Sequence, residues 1–121
     1  MNCIFCKIIN GDIPSFTIYE DDVVKVFLDV NPKANGHALV VPKKHFTDLF
    51  DIPNDTLMHI MEVARKMEAI FREKLHCKGL TLMQNNGIAE EVKHFHLHLL
   101  PVYSSNDEIM NAEDVYNQIM C

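Results

Sequence analysis

Residues 94–100 read His94-Phe95-His96-Leu97-His98-Leu99-Leu100, a strict alternation of imidazole and apolar side chains up to the last residue. Side chains two apart share one face of an extended strand, whereas a helix would scatter the same residues around its axis. The stretch therefore reads as a strand with three imidazoles on one side and Phe95, Leu97 and Leu99 buried on the other. Three histidines on one face repel when protonated and need partners when buried. A solvated face that is merely His-rich is the bland alternative. Two readings give the imidazoles a use. One is a metal site; the other is an anion site with a nucleophilic imidazole, since histidine is neutral near pH 7 and still donates hydrogen bonds.

The rest of the chain tells what such a strand packs against. Its 121 residues, 48% of them hydrophobic, suit a single globular domain spanning 1–121. Cys3 to Ile9 fits a short helix ended by Asn10-Gly11. Phe16 to Glu20 and Val23 to Val30 read as strands around Glu20-Asp21-Asp22, and His37 to Val41 as a third strand stopped by Pro42. A polar stretch through Pro53-Asn54-Asp55 supplies an N-cap signal. Leu57, Ile60, Met61, Ala64, Met67, Phe71 and Leu75 then recur at three- and four-residue spacing, the core stripe of a long helix. Leu80 to Gln84 is a strand, His94 to Leu100 another stopped by Pro101, and Ala112 to Met120 a terminal helix. Strands grouped before and after one main helix predict an α+β fold: an antiparallel sheet of about five strands, one long helix and short terminal helices.

The formal net charge of −6 argues against a broad nucleic-acid-binding surface, which needs clustered cations. The apolar runs fall far short of the ~20 residues of a membrane-spanning helix. Met1-Asn2-Cys3 has neither the basic nor the apolar segment of an export signal, so a cytoplasmic protein is expected. In that reducing compartment Cys3, Cys6, Cys77 and Cys121 are thiols or metal ligands rather than a disulfide framework.

The pattern of residues 94–100 resembles the signature of the histidine-triad (HIT) family. Cys3-Ile4-Phe5-Cys6-Lys7-Ile8-Ile9, Gly36-His37 through Pro42-Lys43-Lys44-His45, and Asn85-Asn86-Gly87 resemble its Hint-like branch in order and approximate spacing. Several separated motifs agree over residues 3–101. The resemblance implies a purine nucleotide site and a nucleotide hydrolase or transferase, most like a purine nucleoside phosphoramidase. It implies that His96 is the nucleophile at the α-phosphate, forming a nucleotidyl-histidine intermediate. His98 and His37 would flank the phosphate, and Asn85 would hydrogen-bond near the leaving group. Asp29 would hold the ribose hydroxyls, with Phe5, Ile8, Phe27 and Val30 as apolar walls around the base. A homodimer is implied as well.

Cys3-x-x-Cys6 by itself is half of a tetrahedral metal site. The resemblance supplies the other half, His45 and His94, as a closed Cys₂His₂ zinc site whose ion would be structural. The segment before the triad departs from the family. A Gly-Gln-Ser-Val-type run is replaced by the shorter Ile88-Ala89-Glu90-Glu91-Val92-Lys93. A carboxylate pointing inward there would repel phosphate, so Glu90 and Glu91 are expected to point outward. His59 and His76 read as helix-surface residues. Three alternatives stay open: cleavage of dinucleoside polyphosphates, a nucleotide-binding regulatory module, and a metallohydrolase with His94, His96 and His98 as zinc ligands.

Overall fold

In a computed structural model, which describes residues 3–105 and 108–121, the elements follow one another in the expected order. They are α1 (Ile4–Ile9), β1 (Thr17–Glu20), β2 (Val24–Leu28), β3 (Ala38–Pro42), α2 (Asn54–Lys74), β4 (Gly79–Met83), β5 (Leu97–Val102) and α3 (Ala112–Met120). The five strands form one antiparallel sheet in the order β1-β2-β3-β5-β4. No helix among the described residues is long and apolar enough to cross a membrane.

The sheet is buried on both faces near its centre. Val24, Val26, Leu28, Ala38, Val40, Leu97 and Leu99 join Ile60, Val63, Met67 and Phe71 of α2 in the main core. On the other face Phe27, Leu39 and Val41 pack against Phe5 and Ile8 of α1. Burying such aliphatic and aromatic side chains contributes roughly 1.5–3 kcal/mol each. Val63 is a core residue that the expected stripe omits, and Met61, which the stripe includes, is 43% exposed. Helix α2 begins at Asn54 behind Pro53, which offers no side-chain cap; Asp55 bonds only the Thr56 N–H (2.8 Å).

Two prolines expected just past strands are the last residue of β3, Pro42, and the next-to-last residue of β5, Pro101. The β3–β5 ladder covers only Ala38–Val40 against Leu97–Leu99. Pro42 and Pro101 lie beyond it, where each pairs on one side only, with Val24 and Leu80 respectively. A missing N–H is tolerated there as on an edge strand. The same ladder explains why β5 starts at Leu97 rather than His94: the Phe95 N–H goes instead to the carbonyl of Phe46 (2.7 Å).

Candidate active site

Register places the chemistry. On the α1 side of the sheet, Phe27 of β2 faces Leu39 of β3, and Leu39 faces His98 of β5. Two residues along on β2 and two residues back on β3 come Asp29 and His37, joined by the Asp29 N–H to the His37 carbonyl (2.9 Å). Asp29, His37 and His98 thus share one face. Gly36 makes the turn into β3 with φ +92°, and a Cβ there would sit 2.6 Å from Leu75 Cδ1. Only glycine combines that backbone angle with that contact.

Hydrogen bonds assign the imidazole tautomers. His96 Nδ1 lies 2.8 Å from the carbonyl oxygen of His94 and must donate to it, so the lone pair is on Nε2. His37 Nδ1 accepts the Lys33 backbone N–H (3.1 Å), so its proton is on Nε2. That N–H donates to His98 Nδ1 at 3.0 Å, with Asp29 Oδ2 3.5 Å away, and leaves the His98 proton on Nε2. Side by side, His96 offers a lone pair and His98 an N–H.

Burial pushes the pKa values of His96 and His37 below the ordinary imidazole value. His98, desolvated and beside His96 and His37, is pushed down to about 4. The row is neutral near pH 7. Around it lies a cleft of about 410 Å³ whose lining includes Phe5, Asp29, His37, Asn85, His96 and His98. The Phe5 ring meets His96 edge-on at 5.0 Å and Phe27 at 5.6 Å. Phe27 and Ile8 stand behind Phe5 in the smaller core rather than on the cleft wall, and Val30 is 72% exposed and off it.

His94 faces away from this cleft. Its Nε2 donates to the Pro42 carbonyl (2.8 Å), which turns the Nδ1 lone pair to Cys3 Sγ (3.3 Å) and Cys6 Sγ (3.5 Å). His45 Nδ1 lies 3.3 Å from Cys6 Sγ, and one ligand atom from each of the four residues falls within 4.8 Å of the others. Tetrahedral zinc with Zn–S ~2.3 Å and Zn–N ~2.0 Å separates sulfur from nitrogen by about 3.5 Å. The donor set fits that ion, and the Pro42 carbonyl is the outer-sphere acceptor that such a histidine ligand needs. Burial, with Cys3 alongside, pushes the Cys6 thiol up to about 11. The three triad histidines do not converge on one ion, since His94 turns to the cysteines and His96 is held by a carbonyl. Asp29, His37 and His98 do cluster. A metal on His37 Nε2 would have to displace the proton that the Lys33 N–H fixes there, so this cluster is a hydrogen-bonded chain.

A HIT domain model matches residues 10–105. The chain belongs to the HIT family. An uncharacterized HIT-like protein of Methanocaldococcus jannaschii is 42% identical over 117 residues, 95% of this chain and 90% of that protein. The adenosine 5'-monophosphoramidase of Saccharomyces cerevisiae is 44% identical over 101 residues, 82% of this chain and 61% of its own length. Among solved structures, a zinc-bound histidine triad family protein from Mycobacterium smegmatis superposes with a TM-score of 0.90 at 35% identity, covering 98% of this chain and 91% of that one.

One expectation about this HIT domain is overturned. Glu90 does not point outward: it is 4% exposed, and neither carboxylate oxygen has a hydrogen-bond partner among the described residues. The loop around it is clamped to the turn before α2, through Leu49 N–H to Asn86 Oδ1 (2.8 Å) and Gly87 N–H to Asp48 Oδ2 (3.2 Å). Burial and then Asp48 push the Glu90 pKa up, which favours the neutral acid. Glu91 is exposed as expected, yet it lines the cleft. His59 has a partner, Asp21 (2.7 Å), and His76 lies past the helix end with φ +61°. The Lys33 N–H and the His94 and Pro42 carbonyls, which set the tautomers, are backbone groups with no mark in the side-chain pattern.

Proposed function

We propose that this HIT domain hydrolyses purine nucleoside phosphoramidates at the α-phosphate through a nucleotidyl-His96 intermediate. The observation that carries the reading is the lone pair on His96 Nε2, held in the cleft beside a neutral His98 N–H donor. The likeness to the yeast adenosine 5'-monophosphoramidase supports the substrate class. In this reading His96 Nε2 attacks phosphorus, the P–N bond breaks, and the amine leaves with a proton from solvent. The imidazolium so formed keeps its Nδ1–H on the His94 carbonyl, an acceptor already in place to stabilise the new charge. His98 donates its Nε2–H to a nonbridging oxygen, and His37 holds His98 in the donating tautomer. Water then attacks the nucleotidyl-histidine, releasing the nucleoside monophosphate and restoring neutral His96. Asp29 accepts the ribose hydroxyls, Phe5 walls the base with Ile8 and Phe27 behind it, and Asn85 faces the leaving-group side.

Zinc at Cys3, Cys6, His45 and His94 is part of the proposal. With all four positions supplied by the protein, the ion is structural and ties α1 to the triad segment. Cysteines that hold zinc must stay reduced, which suits a reducing, cytoplasmic setting. The homodimer belongs here too, with β4, an edge strand that exposes Leu82, as part of the shared surface. The test of the function is His96→Ala: turnover of an adenosine phosphoramidate is lost while AMP still binds. Turnover at the unmodified rate would remove His96 from the mechanism.

A further inference from the structure

We propose that a second cavity beyond Glu91 receives the leaving group, and that Glu91 selects an amine there over a phosphate chain. The inference rests on the reading of the triad cleft as a nucleotide site. The cleft of about 410 Å³ and a neighbouring cavity of about 620 Å³ have Ile4, Glu91 and Val92 as a common wall. Asp29, assigned to the ribose, sits against His37, and its charge acts on His37, His98 and His96. Glu91 stands on the wall shared with the larger cavity, whereas Asp29, His37 and His98 line the cleft alone. Of the two carboxylates on the cleft, Asp29 sits by His37 and Glu91 alone borders the larger cavity. With the nucleoside at the Asp29 end, what hangs from the phosphorus on the other side lies toward Glu91 and the larger cavity.

The charge at that boundary discriminates. Glu91 has no hydrogen bond or ion pair with the described residues, so its carboxylate is available to a ligand. An amine or amide N–H is a donor to it, whereas a second phosphate brings like charge against it. Even with the screening of bulk water, one unit charge about 5 Å away is worth about fourfold in an equilibrium or rate. At the Asp29 end, Lys33 lines the cleft and offsets the α-phosphate, while Lys7 and Lys93 line only the outer cavity. Lys93 is already turned to the Gly87 carbonyl. A polyphosphate would thus pass the carboxylate before reaching a cation, while the apolar side chains of Ile4, Ile13 and Val92 offer an amine's carbon chain a surface.

The experiment measures kcat and KM for adenosine 5'-(N-propyl)phosphoramidate and for diadenosine triphosphate, with the wild type, Glu91→Gln and Glu91→Lys. The preference for the amide falls by about fourfold or more in Glu91→Gln and further in Glu91→Lys. The absolute kcat/KM for the triphosphate rises, and high salt shrinks the difference as it screens an exposed charge. A structural role for Glu91 would depress both substrates together, and an unchanged ratio, or loss on both substrates alike, overturns the selection. A wild type that turns over neither compound sinks the nucleotide reading itself, an outcome separate from the ratio.

Discussion

Protonating His98 has a cost that can be read as stability. Its folded pKa is pushed down to about 4 from the ordinary 6.5, chiefly by burial and then by His96 and His37. Between those two pH values the unfolded chain binds a proton that the folded chain refuses, so stability is full above pH 6.5 and falls as pH drops toward 4. At pH 5 the gap is about 1.5 units at 1.36 kcal/mol each, or about 2 kcal/mol. His98 is only partly buried, and solvent screening brings the expected contribution to about 1 kcal/mol. Urea unfolding of wild type and His98→Asn at pH 7.5 and pH 5 isolates it. The substitution removes the His37–His98 bond at both pH values, an offset that cancels in the comparison. The wild type should lose about 1 kcal/mol more than the variant between the two pH values. Parallel losses would mean that His98 titrates normally and is not held neutral by its surroundings.

Replacing Glu90 by Leu should stabilise the fold by about 1–3 kcal/mol near pH 8, the usual cost of a buried, unpartnered polar group. Because the folded pKa of Glu90 is raised, the added cost of ionising it is absent below the unfolded value and grows as pH rises. The gain measured by thermal melts should therefore shrink toward pH 4, and a pH-independent gain would contradict this. Protein purified without chelator should carry about one zinc per chain by elemental analysis, and Cys6→Ser or His45→Ala should lower that ratio and the melting temperature together. A ratio near zero in the wild type would exclude the site. His59→Ala should cost about 1 kcal/mol in urea unfolding, because Asp21 loses one partner while keeping Tyr19 and the Val23 and Val24 N–H groups.

How much of this was legible in the sequence depended on the range of the interaction. The alternation in residues 94–100 required only extended backbone, so the opposed faces could be read directly: Phe95, Leu97 and Leu99 lie in the main core, while His96 and His98 line the cleft. Where β5 begins could not be read, because pairing depends on how far β3 follows it, and that ladder is three residues long. The same limit applies to Pro42 and Pro101, which break strands only where a second partner needs their N–H. The meeting of Cys3 and Cys6 with His45 and His94, some 40 and 90 positions away, was accessible only through the family resemblance. Local signals say nothing about such separations. Glu90 and Glu91, two adjacent acids in a short loop, read as solvated. What buries one of them is the clamp between residues 86–87 and the turn at 48–49, a tertiary contact. The tautomers leave no trace in the sequence for a similar reason, since backbone carbonyls and an N–H decide them.

The most direct test of the central claim is the site of covalent attachment during turnover. A nucleotidyl-histidine survives alkaline conditions, so an adenosine phosphoramidate reaction quenched at high pH and digested can be mapped by mass spectrometry. The account predicts AMP on Nε2 of His96, absent in His96→Ala. AMP on His98, or rapid turnover with no adduct on any histidine, would contradict it.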